Sequence, residues 1–221
     1  MEDMDMKVHR WKTITALAVA VSLALTIGAA PSQAAPLGEG PNVSAGLSAS
    51  DLSKLPLTDR HLTKREKVNL AVVLRAYHVA EGDVLDSQGF IDLFAKDGVL
   101  NGIGGVEGQT SLRDQQLGGL VVWMGTFLPD VHRQLKQITV RGDVVGIELS
   151  IQGTFLGPFD TPAGVIKPTG AKIDIPTADF WYLRNGKVEV FDCHIGFTTL
   201  YAQLGILPDY ASAVAAAAPK R

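Results

Sequence analysis

The chain has 221 residues, enough for one domain with a full hydrophobic core, and its 20 basic and 23 acidic residues leave a formal charge of −3. No run of lysines and arginines stands out, which argues against nucleic acid as a partner. The single cysteine, Cys193, excludes an intramolecular disulfide and metal sites of the CxxC type, and no HExxH motif replaces them. We therefore expect no metal site.

The first 34 residues have the pattern of a signal peptide. Lys7, Arg10 and Lys12 precede an apolar run over 13–30, and residues 32–34 (SQA) supply the small side chains that a signal peptidase recognises. Cleavage after residue 34 predicts a secreted or periplasmic protein without stable membrane association. The alternative is an uncleaved anchor, because about 18 apolar residues are near the lower limit for a membrane-spanning helix.

The next segment, 35–62, is rich in Gly, Pro, Ser and Ala, which is typical of a linker or a loosely packed N-terminal arm. Thr63 and Glu66 then have the spacing of a capping box, in which each side chain satisfies a backbone N–H of the other residue. The sequence therefore predicts that a first helix begins at Thr63 and runs to Gly82.

Apolar residues recur at helical spacing in three further segments. Over 86–98 they predict a second, short helix that Gly98 ends, and over 111–127 they predict a third. A last short helix is predicted over 197–205, and the alanine-rich residues 209–221 are expected to form a flexible tail.

Between the third and the last helix the apolar period changes from 3.6 to 2, which indicates strands. Residues 132–155 predict one hairpin about Gly142-Asp143, and residues 178–193 predict a second about Asn185-Gly186. Helices followed by antiparallel strands predict an α+β domain over 63–208, with three helices packed on a strongly curved sheet. Such a sheet encloses a pocket, which is the default ligand site.

Several short motifs in this region occur together in one order. This ordered set resembles the SnoaL-like polyketide cyclases of the nuclear-transport-factor-2-like (NTF2-like) superfamily, and the match covers roughly Lys67 to Leu207. The motifs are FLPDVH (127–132), RGDVV (141–145), GTFLG (153–157), KPTG (167–170), LRNGKVEVF (183–191) and QLG (203–205).

The resemblance implies a cone-shaped domain that needs no cofactor and is often dimeric through its sheet, so a homodimer is possible. It also implies a carboxylate near the end of the last strand that shuttles a proton, assisted by a histidine on the neighbouring strand. Counting back from Gln203, the carboxylate position falls on Cys193. Counting forward from Pro168-Thr169, the histidine position falls on Asp179. Asp192 and His194 flank the first of these positions.

The candidate catalytic residues are Asp179, Asp192 and His194, and two strand registers give them different neighbours. Direct pairing about Asn185-Gly186 puts Asp179 opposite Asp192, so that two carboxyl groups could share a proton. In the register that the family resemblance implies, called the family register below, Asp179 and Cys193 face inward instead. A one-residue bulge decides between these two arrangements.

Aromatic residues and two further polar ones are the candidates for ligand contacts. A thiol in an exported protein survives best when buried, so a structural Cys193 is favoured over a nucleophile. The full set is Tyr77, Phe90, Trp123, Phe127, His132, Trp181 and Cys193.

Three functions fit this sequence. The first is a cofactor-free cyclase, isomerase or dehydratase that uses carboxylate acid–base chemistry on a small apolar carbonyl compound. The second is a non-catalytic binder of a small hydrophobic ligand in the same cavity. The third is an interaction module whose sheet dimerises or docks a partner.

Overall fold

The computed structural model describes residues 47–103 and 110–206. The predicted signal peptide (1–34) and the predicted tail (209–221) lie outside the described residues. None of the described helices is both long and apolar enough to cross a membrane. In chain order the described elements are α1 (Ala49–Ser53), α2 (Lys64–Val79), α3 (Ser87–Ile91), β1 (Phe94–Ile103), β2 (Thr110–Leu112), α4 (Gln115–Phe127), β3 (His132–Arg141), β4 (Val144–Thr154), β5 (Phe159–Thr161), β6 (Gly164–Ile166), β7 (Lys172–Arg184), β8 (Lys187–Ile195) and α5 (Phe197–Gln203).

The main sheet has six strands in the order β2-β1-β8-β7-β4-β3, and β5 pairs with β6 in a separate ribbon. Its neighbouring strands are antiparallel except β1 and β8, which are parallel. Both predicted hairpins are confirmed, with Gly142-Asp143 joining β3 to β4 and Asn185-Gly186 joining β7 to β8. Asn185 and Gly186 have φ of 52° and 73°, as a tight hairpin turn of this kind requires.

The first long helix begins where its capping box predicts. The backbone N–H of Thr63 donates to Oε2 of Glu66 at 2.8 Å, and the N–H of Glu66 donates to Oγ1 of Thr63 at 3.3 Å. Helix α2 packs on β3, β4 and β8, while α3 packs against α4. The α+β class, with helices on a curved, mainly antiparallel sheet, is confirmed.

The predicted second helix is wrong beyond its first turns. It ends at Ile91, and Phe94 begins strand β1, which pairs in parallel with β8. Gly98 lies inside this strand and does not end a helix. A Cβ added there would lie 2.8 Å from the carbonyl oxygen of Val188, so the glycine permits close approach of two backbones. A short apolar run fits a helix or a strand equally well. Here the segment forms a strand because it pairs with β8.

The predicted third helix begins four residues later than its apolar pattern suggests. Ser111 belongs to strand β2 and pairs with Asn101 of β1, so helix α4 begins at Gln115. The helices are therefore not all placed before the strands, because β1 and β2 lie between α3 and α4.

The described part of the arm before α2, residues 47–62, is more ordered than its composition predicts. Helix α1 buries Leu52, which is 5% exposed. The N–H of Ile138 donates to the carbonyl oxygen of Pro56, and the N–H of Thr58 donates to that of Ile138, both at 2.9 Å. The arm thus covers part of the exposed edge of β3 and satisfies backbone groups there.

Bulges in β3 and β8 bend the sheet and change which side chains face the helices. In β8, Tyr182 pairs with Val190 but Leu183 pairs with Val188, so Glu189 is the extra residue. In β3, Lys136 is the extra residue. Each extra residue increases the local twist and reverses the alternation of the side chains that follow.

Candidate active site

Asp179 lies on the face of β7 that the helices cover. The strand alternates regularly, so that Thr177, Asp179 and Trp181 point to this face and all are buried. Asp179 is 2% exposed, and its partners on the adjacent strands are Ile147 of β4 and Cys193 of β8. A carboxyl group in this position is removed from water by apolar neighbours.

A chain of two hydrogen bonds ends on this carboxyl group. Nε1 of Trp181 donates to Oη of Tyr77 at 3.1 Å, and Oη of Tyr77 donates to Oδ2 of Asp179 at 2.8 Å. The other carboxyl oxygen, Oδ1, has no hydrogen-bond partner among the described residues. The thiol of Cys193 interacts with the carboxylate as a weak donor without reaching full hydrogen-bond geometry.

Burial raises the pKa of Asp179 to about 6, because the charged form loses its hydration. The hydrogen bond from Tyr77, the Cys193 thiol and the positive charge of Arg133 lower this pKa and offset part of the effect. Burial, followed by the negative charge of Asp179, raises the pKa of both Tyr77 and Cys193 well above their ordinary values. Both therefore stay protonated at neutral pH, and the thiol is not an activated nucleophile.

These groups line a cavity between α2, α3, α4 and the sheet, with a volume of about 30 Å³. This volume holds about one or two water molecules. Apart from Asp179, Arg133, Tyr77, Trp181 and Cys193, the lining is apolar and comprises Ala76, Ala80, Phe90, Leu120, Val121, Met124, Ile151 and Phe191.

Of the residues predicted from sequence, five meet at this cavity: Tyr77, Phe90, Asp179, Trp181 and Cys193. Trp181 stacks on Phe191 with ring centroids 3.5 Å apart, and Tyr77 meets the edge of the Trp181 ring. The structure thus joins residues from α2, α3, β7 and β8 in one site.

Asp192 does not join them, because the directly paired register, in which it would form a carboxyl pair with Asp179, is not the observed one. Because Glu189 is an extra residue, Asp192 pairs with Phe180 and lies on the opposite face of the sheet. Its Oδ1 accepts a hydrogen bond from Nδ2 of Asn101 at 2.9 Å. The family register is the observed one, with Cys193 beside Asp179.

The two candidate histidines also lie outside the cavity. His194 is exposed, and its ring is 6.1 Å from that of Phe180 on the outer face of the sheet. The side chain of His132 is 59% exposed, and its Nδ1 lies 3.6 Å from Oε2 of Glu81. Neither ring touches the cavity, although the charge of His194 lowers the pKa of Asp179 slightly.

Trp123 and Phe127 of α4 belong to another aromatic cluster. The ring of Phe159 lies 6.0 Å from that of Trp123 and 5.1 Å from that of Phe127. Neither α4 residue lines the cavity, so this pair packs the helix against the β5–β6 ribbon.

Arg133 is the charged residue of the cavity lining that the sequence analysis missed. Its Nη1 donates to the carbonyl oxygen of Ala80 at 2.8 Å and to Oε1 of Glu81 at 3.1 Å. Its side chain is 11% exposed, and the guanidinium carbon lies 5.9 Å from the centre of the Tyr77 ring. The sequence signal that could have identified Arg133 is an arginine within an alternating strand, next to the candidate histidine His132.

The described residues contain no group of three or more His, Cys, Asp or Glu side chains that could hold a metal ion. The chemistry that the site itself offers is proton transfer, from a buried carboxyl group with a raised pKa beside a partly neutralising cation.

A protein-family model described as SnoaL-like domain matches residues 73–191. A proposed SnoaL-like polyketide cyclase from Jannaschia sp. CCS1 superposes with a TM-score of 0.55 at 18% identity, covering 66% of this chain and 98% of that one. A proposed polyketide cyclase from Bacillus cereus ATCC 10987 gives 0.55 at 19% identity, covering 70% and 94%. AclR, a proposed hydroxylase from Streptomyces galilaeus, gives 0.53 at 21% identity, covering 68% and 93%. At identities this low, the superpositions show a shared fold and nothing beyond it. No curated protein matches the sequence significantly.

Proposed function

Because the chain belongs to the SnoaL-like domain family, we propose that it is a cofactor-independent cyclase or isomerase acting on a small, largely apolar carbonyl compound. Asp179 would be its acid–base residue. The observation that carries this proposal is Oδ1 of Asp179, a buried carboxyl oxygen without a described hydrogen-bond partner, in a residue that lines a mainly apolar cavity.

Asp179 has the proton affinity that a general base needs near neutral pH. With a pKa of about 6 it is mostly ionised at pH 7, yet it holds a proton more strongly than an ordinary aspartate does. The hydrogen bond from Tyr77 occupies Oδ2, so Oδ1 is the oxygen left to accept a proton from a substrate.

The reaction needs no oxidant or reductant. Oδ1 takes a proton from the carbon next to a carbonyl group, and the C–H electron pair forms the C=C bond of an enolate. In the isomerisation of a β,γ-unsaturated ketone the enolate is conjugated with the second C=C bond, and the carboxylic acid returns the proton to the γ-carbon. In a cyclisation the enolate carbon attacks a second carbonyl, a C–C bond forms, and the resulting alkoxide takes the proton from Asp179.

Substrate binding must enlarge the cavity. Pockets that hold drug-sized ligands measure about 300–1,000 Å³, whereas this one measures about 30 Å³. Leu120 and Met124 of α4 form part of its wall, and methionine is flexible enough to adopt new rotamers at low cost. We expect these two side chains to move when a substrate enters.

The proposal is tested by deuterium exchange of enolisable ketones. The protein is incubated in D₂O with cyclopentanone or cyclohexanone, and loss of the α-proton signal is followed by NMR. We expect catalysed exchange that falls about 10²- to 10⁴-fold in Asp179→Asn. Asp160→Asn, which alters an exposed aspartate on β5, is the matched control and should keep the wild-type rate.

Equal exchange by the wild type and Asp179→Asn would contradict the proposed role of Asp179. Ketone binding without any exchange would instead favour the non-catalytic binder, because the same cavity would then hold an apolar ligand without moving a proton.

Export is part of the proposal. The basic residues Lys7, Arg10 and Lys12 before an apolar run support it, together with the small residues at 32–34. The protein would then be secreted or periplasmic. The homodimer implied by the family resemblance stays a prediction.

A further inference from the structure

Two residues of the cavity wall also reach solvent. The residues that line the cavity are all buried except Leu120 of α4 and Arg133 of β3, which are partly exposed. A side chain that lines a cavity and also touches solvent forms the whole wall between the two. The wall is therefore thinnest at Leu120 and Arg133, and the shortest path for a ligand from solvent passes there.

Hydrogen bonds hold the Arg133 side of this wall in place. Nη1 of Arg133 donates to the carbonyl oxygen of Ala80 at 2.8 Å and to Oε1 of Glu81 at 3.1 Å. The backbone N–H of Arg133 donates to Oε2 of the same glutamate at 3.2 Å. Moving the guanidinium group would break charge-assisted hydrogen bonds, which are stronger than neutral ones. Arg133 is therefore the fixed side of the wall.

The Leu120 side can move at lower cost. Val121 and Met124 of the same helix are buried and line the cavity, whereas Val122 is 57% exposed. Leu120 lies at the margin between these two faces of α4. Its side chain has no polar atoms, so a change of rotamer breaks no hydrogen bond and leaves the helix where it is.

We propose that ligands enter the cavity between Leu120 and Arg133, and that the size of the Leu120 side chain determines which of them pass. Arg133, held by Glu81, is the immobile side of this entrance. Compact apolar molecules should enter, and bulkier ones should be excluded. The proposal concerns access alone, so it goes beyond the proposed function and applies equally to a cavity that only binds.

Cys193 is a natural probe of this path. It is the single cysteine of the chain, it lines the cavity, and it is 4% exposed. A methanethiosulfonate reagent transfers its alkylthio group to the cysteine sulfur, and methanesulfinate leaves. The rate of this reaction reports how readily a small molecule reaches the cavity, and it requires no catalytic activity.

The experiment compares methyl and benzyl methanethiosulfonate by mass spectrometry of the intact full-length protein. The chain unfolded in urea gives the intrinsic ratio of the two rates. We expect the folded wild type to prefer the methyl reagent about tenfold more strongly than the unfolded chain does, because the entrance discriminates by size.

Variants on each side of the entrance should change these rates in opposite directions. Leu120→Ala should speed up both reactions and remove most of the preference for the methyl reagent. Leu120→Phe should slow both reactions, which a loss of stability could not do. Glu81→Gln removes the charge that holds Arg133, and it should speed up both reactions about threefold.

Val122→Ala is the matched control, because it shortens an exposed apolar side chain on the same helix. It should react as the wild type does with both reagents. Each rate is also measured at several low urea concentrations. Reaction through the entrance should depend little on urea, whereas reaction through global unfolding rises steeply with it.

A wild-type rate that rises steeply with urea and shows the rate ratio of the unfolded chain would overturn the proposal, since Cys193 would then react only after global unfolding. Equal rates in the wild type, Leu120→Ala and Leu120→Phe would also overturn it, because the path would then lie elsewhere. Neither result bears on Asp179, whose role is judged separately by ketone exchange.

Discussion

Tyr77 decides which oxygen of Asp179 is available. The indole N–H of Trp181 can only donate, and it donates to Oη of Tyr77. The tyrosine hydroxyl has one proton, which therefore goes to Oδ2 of Asp179. This hydrogen bond favours the ionised carboxylate, and it fixes the orientation of the carboxyl plane.

Replacing Tyr77 by Phe should raise the pKa of Asp179 above about 6, because a hydrogen bond that lowers it is removed. The acid limb of any Asp179-dependent rate should move to higher pH with it. The free energy of unfolding should fall by about 1–3 kcal/mol, since Trp181 Nε1 and Asp179 Oδ2 lose their partner in a buried place. Carbon-13 carboxyl NMR measures the titration of Asp179.

Tyr182→Phe is the control for this variant. Tyr182 follows Trp181 on β7 but is 39% exposed on the outer face, so the same change there should leave the titration of Asp179 as in the wild type. A Tyr77→Phe variant whose Asp179 titrates at or below the wild-type pH would show that Tyr77 is not the donor.

Bulges in β3 and β8 decide which residues line the site, and the sequence does not reveal these bulges. Both hairpin turns are readable because Asn185-Gly186 and Gly142-Asp143 have the residues that tight turns need. Glu189 and Lys136, the extra residues of the bulges, have the chemistry of ordinary exposed strand residues. Nothing in the sequence marks them as extra.

Each bulge puts one candidate residue outside the site and a neighbouring residue inside it. Without Glu189, Asp192 would lie opposite Asp179, whereas the observed neighbour is Cys193. In β3, strict alternation back from the buried Ile138 puts His132 on the inner face. The extra Lys136 reverses that phase and puts Arg133 there instead.

Helix α1 has five residues, too few to be stable alone in water. Its position depends on Leu52, which is 5% exposed, and on the pairing of residues 56–58 with β3. Leu52→Ala should therefore lower the free energy of unfolding by about 2–4 kcal/mol. Urea denaturation of the whole protein measures the change.

Leu156→Ala removes the same atoms from a leucine that is 54% exposed, and it should change the free energy of unfolding by less than about 0.5 kcal/mol. If both variants lost the same small amount, the arm would not be docked on the sheet in solution.

At the scale of the molecule, the fold class was predictable because the apolar period changes from 3.6 to 2 at a definite place in the chain. The parallel β1–β8 pair was not, since Phe94 ends an apolar run too short to tell helix from strand. Asp179 could be found as an acid in an apolar strand. Its separation from the other two catalytic candidates, Asp192 and His194, follows from the register of β8, which only the structure shows.

The stability of the whole protein should depend on pH through Asp179. The carboxyl group has a pKa of about 6 when folded against an ordinary value of 3.8, so the folded state binds this proton more tightly than the unfolded state does. The resulting stabilisation is complete below about pH 4 and is lost as the pH rises through 6. The loss is about 3 kcal/mol, from a shift of about two units at 1.36 kcal/mol each.

Asp179→Asn isolates this contribution. Other carboxyl groups act in the opposite direction, such as Glu66, whose pKa the backbone N–H of Gly142 lowers, but they are present in both proteins and cancel in the difference. Relative to the wild type, the variant should gain about 3 kcal/mol of unfolding free energy between pH 4 and pH 7. Denaturant titrations at several pH values measure this difference. Parallel curves would mean that the Asp179 carboxylate is as well solvated in the folded protein as in the unfolded chain. The raised proton affinity on which the proposed base depends would then be absent.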